Sequence, residues 1–185
     1  MIDHVRDLES VRSATERLLT AAAKLDNAGV TDQSRLPGWT RGHVLAHVAR
    51  NADALVNVLE GRPMYVSGEA RDADIERDAR RPLEAQLADV RESGAASRRR
   101  GPPRRTGRAR WSCATGSPTQ PPGCLPALGR GRAAHVDLGI GYELEDLPAE
   151  FTEREIDFLA RRFTGNPDVP PTRLTDGTRA WSTGQ

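Results

Sequence analysis

Two histidines on one predicted helix, His43 and His47, are the side chains best suited to metal chemistry in this chain. Imidazole nitrogens are common ligands of zinc and related divalent ions. At about 100° per residue, His47 falls about 60° beyond the Val44 edge of an apolar stripe, so it lies at a core boundary, while His43 lies further toward solvent. The alternative interpretation of His47 is a hydrogen-bonded packing residue.

The helix that must position these histidines is predicted over residues 41–59. Pro37 and Gly38 interrupt the preceding structure, Thr40 can cap the first amides of the helix, and no proline follows until Pro63. The apolar stripe consists of Val44, Val48, Ala52, Leu55, Val56 and Leu59.

Apolar periodicity predicts further helices on both sides of this one. A first helix is expected over about 3–27, before the His47 helix, and another from Pro82 onward. A charged, irregular connection over 61–81 is expected between the His47 helix and the helix that begins at Pro82. A helix over about 135–143 can follow, and one over 151–163 is expected with Thr152 as its cap.

Three stretches of the chain resemble a known enzyme family. GWTRGHVLAHVARNADAL begins at Gly38, RPMYVSGEARDADI at Arg62 and HVDLG at His135. Together they resemble the mycothiol-dependent maleylpyruvate isomerases, members of the DinB-like metal-dependent thiol enzymes. The resemblance implies an all-α, antiparallel four-helix bundle, normally followed by a smaller α/β domain.

The resemblance also implies a cofactor and a reaction. The family holds a divalent metal, usually zinc, through a histidine at the position of His47 and through a glutamate and a histidine four residues apart on a later helix. Mycothiol, the thiol cosubstrate, adds to the cis double bond of maleylpyruvate, and elimination after rotation leaves fumarylpyruvate. Arginine forks match substrate carboxylates, which makes Arg50, just past His47, a candidate substrate-binding residue; the alternative is a solvated arginine on the helix face.

Composition restricts the remaining possibilities. The 185 residues contain no apolar run near 20 residues and no charged-then-apolar leader, so we expect a soluble, cytoplasmic protein without membrane partners. We also expect a monomer. Two cysteines do not make a disulfide framework. Lysine occurs once, at Lys24, against 26 arginines, a bias typical of a GC-rich gene.

The segment 97–132 differs from the rest of the chain. It holds nine arginines, six glycines, six prolines and both cysteines, and no acidic residue occurs from 93 to 136. No stable helix or strand follows from that composition. The net charge of +1 therefore averages this basic segment with a remainder that has 18 basic and 26 acidic residues.

Three interpretations of the segment remain open. It could be a basic linker that contacts nucleic acid, although Trp111 alone offers a stacking surface. Cys113 and Cys124 could bind a metal or form a disulfide, but their spacing of eleven matches no standard zinc pattern. It could also be translated out of frame, because a one-base shift can convert residues 130–134 into Glu, Val, Glu, Leu and His, directly before His135.

Two of the three ligand positions implied by the resemblance carry residues that cannot bind a metal. Aligned on Val136, the family's glutamate falls on Arg130 and its second histidine on Ala134. A protonated guanidinium repels a divalent cation and alanine has no donor atom. His135 is one residue along, about 100° round a helix, so His47 with His135 would make only a weak site.

We therefore expect a bundle over 1–163, interrupted by an irregular insert at 97–132, and a remnant of a C-terminal α/β domain over 164–185. The predicted function is thiol-assisted isomerisation of maleylpyruvate or a related mycothiol transfer. The residues at positions 130 and 134 predict a weak or inactive enzyme. The alternatives are a noncatalytic bundle acting as a binding protein and a nucleic-acid-associated protein.

Overall fold

The computed structural model describes residues 4–100, 133–164, 170, 172–175 and 180–182, and these are mainly helical, as predicted. The helices are α1 (His4–Ala22), α2 (Asn27–Thr31), α3 (Arg41–Leu59), α4 (Gly68–Asp78), α5 (Leu83–Arg100), α6 (133–137) and α7 (Ala149–Phe163), with a 3₁₀ turn at Leu144–Asp146. Two short strands, β1 (Arg173–Thr175) and β2 (Ala180–Ser182), pair antiparallel. No helix among the described residues is long and apolar enough to cross a membrane.

The chain forms two compact units, residues 1–143 and 144–185. The first contains α1 to α6. The second contains α7, which contacts β2, and the β1–β2 pair, in which Leu174 lies opposite Trp181. α7 belongs to the second of these units. The sequence-based domain boundary at residue 163 stays a prediction.

The predicted helix over 41–59 is confirmed as α3, and its start is fixed by a reciprocal cap. The amide of His43 donates to the Thr40 hydroxyl at 3.4 Å, and the amide of Thr40 donates to His43 Nδ1 at 3.1 Å. A capping box normally uses Glu or Gln in the third helical position, and here a histidine takes that role. The cap therefore holds the His43 ring at the start of the helix.

The core of the first unit lies between α3 and the helices around it. α3 packs mainly against α5, and α4 and α2 also contact it. The buried cluster consists of Leu18, Ala22, Val44, Leu45, Leu87, Ala134 and Leu138. Because these residues come from α1, α3, α5 and the α6 turn, four segments share one apolar interior.

The predicted irregular connection over 61–81 is wrong, because it contains α4. Ser67 caps this helix by accepting a hydrogen bond from the amide of Ala70 at 3.1 Å. α4 has little apolar periodicity of its own, since Ile75 is its main buried apolar side chain. It lies so close to α3 that a Cβ on Gly42 would come within 2.3 Å of the Ala79 carbonyl oxygen.

The ends of other helices also differ from the sequence-based predictions. α1 ends at residue 22, and α2 starts anew at a cap in which Asp26 accepts from the amide of Gly29. The helix expected over 135–143 stops at 137, because Gly139 and Gly141 adopt φ of +64° and +86°, which end a right-handed helix.

The expected cap of α7 is wrong. Pro148 occupies the N-cap position, and no side chain caps the helix there. Thr152 lies inside the first turn instead, where its hydroxyl donates back to the Pro148 carbonyl at 3.4 Å. Proline's fixed φ favours helix starts, so the helix begins before the threonine that the sequence pattern had suggested.

Candidate functional site

His47 lies on α3 at the edge of the core, as predicted, and packs against Trp39. The ring centroids of Trp39 and His47 are 5.6 Å apart with an interplanar angle of 64°, an edge-to-face arrangement. Trp39 is partly buried and also packs against the core cluster. The His47 imidazole is thus bounded on one side by an indole that is itself anchored in the interior.

His43 is not directed to solvent, contrary to the prediction, because α4 covers it. Its side chain is 16% exposed, and its Nε2 lies 2.9 Å from Glu76 Oε2 on α4. Since Nδ1 accepts from the Thr40 amide, the hydrogen-bond network assigns the proton of a neutral ring to Nε2, which donates to Glu76. The His43 hydrogen bond, with a second one from Arg80, lowers the pKa of Glu76.

Trp39 contacts both histidines of α3. Its ring stacks on His43 with centroids 5.9 Å apart and planes inclined by 29°, and it meets His47 edge to face. Its only signal in the sequence is the spacing of Trp39, His43 and His47, which lie four residues apart. Their mutual contacts require Trp39 to fold back over the first turns of α3, which the structure shows.

Ala134, the position that the resemblance assigned to the second histidine ligand, faces the interior. It is 3% exposed and belongs to the same buried cluster as Val44 and Leu45 of α3. Trp39 and Val48 pack against that cluster. The position thus points toward the helix that carries His47, but a methyl group offers no donor.

His135 is buried in a different environment from Ala134. Its ring stacks on Tyr142 with centroids 4.2 Å apart and planes inclined by 5°. It also lines an open groove of about 380 Å³ along α1, whose other lining residues are Ser13, Glu16, Arg17, Thr20, Ala21 and Lys24. The assignment of His47 and His135 as a pair of metal ligands stays a prediction.

Among the residues that the structure describes, no three His, Cys, Asp or Glu side chains form a group that could hold a metal ion. Arg130, Cys113 and Cys124 lie outside the described residues. A catalytic zinc site needs three protein ligands and an open position. The donors in the described part of the chain therefore do not fit such a centre, and His47 is its one implied ligand there.

Arg50 lies in a network of carboxylates that the sequence reasoning missed. Its Nη2 donates to both oxygens of Asp89 on α5 at 2.8 Å, and the guanidinium also lies 3.1 Å from Asp53 on α3 and from Asp78 on α4. Arg81 shares Asp89 at 2.8 Å. Only the Arg50–Asp53 pair, three residues apart on α3, has a local sequence signal. Asp78 and Asp89 come from α4 and α5 and could not be found from spacing.

This network bears on the predicted role of Arg50. The Arg50 side chain is 20% exposed, so it is not a solvated arginine on a helix face. Burial raises the pKa of Asp53, against the lowering effects of a Ser93 hydrogen bond and of Arg50. Substrate binding by Arg50 stays a prediction, and a substrate carboxylate would have to exchange with one of these aspartates.

Comparison with models of known protein families gives a match. Residues 11–136, more than half of the chain, match the family described as mycothiol maleylpyruvate isomerase N-terminal domain. A search of curated proteins finds no match.

Two solved structures share the fold. The chain is 28% identical to a histidine-to-alanine mutant of the mycothiol-dependent maleylpyruvate isomerase, with a TM-score of 0.79 over 97% of this chain and 80% of that one. It is 32% identical to another structure of the mycothiol-dependent maleylpyruvate isomerase, with a TM-score of 0.70 over 88% of this chain and 70% of that one. The resemblance stated from the sequence is confirmed, and the chain belongs to the mycothiol maleylpyruvate isomerase family.

Proposed function

We propose that this chain works in mycothiol-dependent isomerisation of maleylpyruvate to fumarylpyruvate, or in transfer of mycothiol to a related electrophile. The observation that carries the proposal is the family match over residues 11–136, which contains α3 with His47 as well as Ala134. The two solved isomerase structures support it, because the similarity extends over 97% and 88% of this chain.

The chemistry of the proposed reaction is an addition followed by an elimination. The thiolate sulfur forms a C–S bond with one carbon of the cis double bond. The π electron pair of the C=C bond moves toward the neighbouring carbonyl. The remaining C–C single bond rotates. The electron pair then returns, the trans double bond forms, the C–S bond breaks and the thiolate leaves unchanged. Mycothiol is therefore required but is not consumed in the isomerisation.

The metal expected for this family, zinc or another divalent ion, would activate the thiolate or polarise the carbonyl of the substrate. His47 is suited to hold it, but Ala134 removes one donor, and the resemblance places Arg130 at the remaining ligand position. We therefore propose a much weaker activity than that of a relative with all three donors. Arg50 is proposed as a carboxylate partner only if it is released from Asp89.

The second candidate is a noncatalytic bundle that binds a small molecule or another protein. The burial of Ala134 in the core cluster favours it, since this position contributes packing and no ligand atom. The nucleic-acid alternative depends on arginines that lie mostly outside the described residues, and it stays a prediction.

The experiment that tests the proposal is an assay of cis–trans isomerisation with maleylpyruvate and mycothiol, with and without added zinc. The unmodified chain is compared with the double variant Arg130→Glu/Ala134→His, which restores both implied donors. We expect the double variant to be faster by at least about ten-fold, equivalent to roughly 1.4 kcal/mol of barrier.

The matched control is Arg130→Glu/Ala133→His, which carries the same two residue types with the histidine one position earlier. Ala133 is exposed, whereas Ala134 is buried, so the control histidine points about 100° away. Equal rates for the two double variants would contradict the assignment of Ala134. Absence of any mycothiol-dependent turnover in the folded double variant would favour the noncatalytic bundle.

A further inference from the structure

We propose that Trp39 positions the His47 imidazole, and that Glu76 and His43 hold Trp39 in place, so that α4 controls the orientation of the histidine assigned to the site. We call the series of contacts from Glu76 through His43 and Trp39 to His47 the relay. Its role in metal binding rests on the proposed function. The contacts themselves do not depend on it.

The first step of the relay joins α4 to the start of α3. His43 is fixed at both ring nitrogens, since Nδ1 accepts from the Thr40 amide at 3.1 Å and Nε2 lies 2.9 Å from Glu76 Oε2. A ring with both nitrogens bonded has little freedom to rotate or flip. Glu76 in turn bonds to Arg80, one turn further along the chain, which restricts the carboxylate.

The second step joins His43 to His47 through ring contacts with Trp39. The indole is enclosed by His43 on one side, with centroids 5.9 Å apart, and by His47 on another, with centroids 5.6 Å apart. Its remaining surroundings include the core cluster. Displacing the His43 ring would open space for the indole to tilt, and the edge-to-face contact with His47 would change with it.

Orientation matters for a metal-binding histidine because the metal must lie close to the plane of the ring. Groups that orient ligating side chains often change metal affinity by about 10- to 100-fold when they are removed. We assign Trp39, His43 and Glu76 no direct contact with substrate or metal in this proposal. They are positioning residues, and their effect should reach any ligand only through His47.

The test uses the full chain with ¹⁵N-labelled histidine rings. The sequence has four histidines, so His47 can be assigned by comparison with a His47→Ala variant. We expect Glu76→Ala to shift the His47 ring resonances and to weaken the nuclear Overhauser contacts between Trp39 and His47. Glu76→Gln keeps an acceptor for His43 and should restore the resonances of the unmodified chain.

The matched control is Asp74→Ala, which also removes an exposed α4 carboxylate paired with an arginine, here Arg77 at 2.6 Å. The Asp74 carboxylate accepts a hydrogen bond from Arg77 rather than from His43, so this variant should leave His47 unchanged. Trp39→Phe, which keeps a smaller ring, should shift the His47 resonances at least as much as Glu76→Ala. Unchanged His47 resonances in both folded variants would overturn the proposal.

Zinc titration separates this proposal from the proposed function. If the unmodified chain binds zinc through His47, Glu76→Ala should weaken that affinity by about ten-fold, and Glu76→Gln should not. If the unmodified chain binds no zinc, the metal-dependent function fails while the resonance shifts still decide whether the relay exists.

Discussion

The two sides of the implied site differ in what supports them. At the start of α3, His47 is bordered by Trp39, and a hydrogen-bonded His43 joins this region to α4. At the α6 turn, Ala134 is an apolar core residue and His135 stacks on Tyr142. On the first side, polar and aromatic side chains surround His47. On the second side, apolar and aromatic side chains pack against one another.

This difference separates contacts that stabilise the fold from side chains that could hold a ligand. The cap between Thr40 and His43 stabilises the start of α3 whether or not His47 holds a ligand. Ala134 likewise stabilises the interior by burial alone. Neither of these contacts involves the implied metal. We therefore expect substitutions that change stability to be separable from substitutions that change ligand binding.

The largest expected effect is on the packed side. Leu138 is fully buried in the core cluster, so Leu138→Ala should lower the free energy of unfolding by about 3 kcal/mol through lost burial and a residual cavity. Urea unfolding measures this change. Leu144→Ala is the control, because that side chain is 65% exposed, and an equal loss in both variants would contradict the assigned core.

A smaller loss is expected from Arg50→Ala on the polar side. Removing this guanidinium leaves Asp53, Asp78 and Asp89 close together without a shared cation. We expect a loss of about 2 kcal/mol, less than for a fully buried ion pair because Arg50 is partly exposed. Arg80→Ala, at a 77% exposed side chain, should change unfolding far less. A neutral Arg50→Ala would show that the network contributes nothing to stability.

Thr40→Ala tests the cap of α3 and should cost about 1 kcal/mol, since it removes the side-chain acceptor for the His43 amide. Thermal unfolding measures it. Thr31→Ala is a suitable comparison, because its exposed hydroxyl donates to Ala28 at the end of a short helix. Comparable destabilisation by both substitutions would argue against a special role for the Thr40 cap.

The smallest effect concerns Asp137, the last residue of α6. Burial raises the pKa of Asp137, and Arg35 only partly opposes this. The folded state therefore holds the proton more tightly. This group's contribution to stability is present at pH values below the pKa of an unfolded aspartate and is lost as pH rises through the raised pKa of the folded state.

Asp137→Asn should consequently raise the melting temperature slightly at pH 7 and have less effect at acidic pH. Glu84→Gln serves as the control, on an exposed first-turn carboxylate of α5. A variant that is less stable than the unmodified chain at pH 7 would contradict the sign of the shift.

Sequence reasoning predicted the parts of the structure that local signals determine. The break at Pro37 and Gly38, the cap at Thr40 and the apolar stripe identify α3. α4 was missed because a helix with one main buried apolar residue, Ile75, has almost no periodicity. Its burial depends on contacts with α3 that only the folded chain supplies.

The same limit applies to the site. His47 could be found from its motif and its place on α3, whereas the Glu76 partner of His43 depends on the unrecognised α4. Asp53 could be paired with Arg50 by its i,i+3 spacing, whereas Asp78 and Asp89 lie on other helices and could not. The resemblance was enough to show that Ala134 stands where the family has a histidine ligand. Only the structure shows that Ala134 lies in the core cluster.

The measurement that tests the central claim most directly is zinc titration of Ala134→His against Ala133→His. If Ala134 faces the same interior as His47, a histidine there should bind zinc at least about ten-fold more tightly than the unmodified chain, a difference of roughly 1.4 kcal/mol. Ala133→His should behave like the unmodified chain, and adding His47→Ala to Ala134→His should remove the gain. Equal zinc affinities for the two single variants, or a gain that survives loss of His47, would contradict the claim.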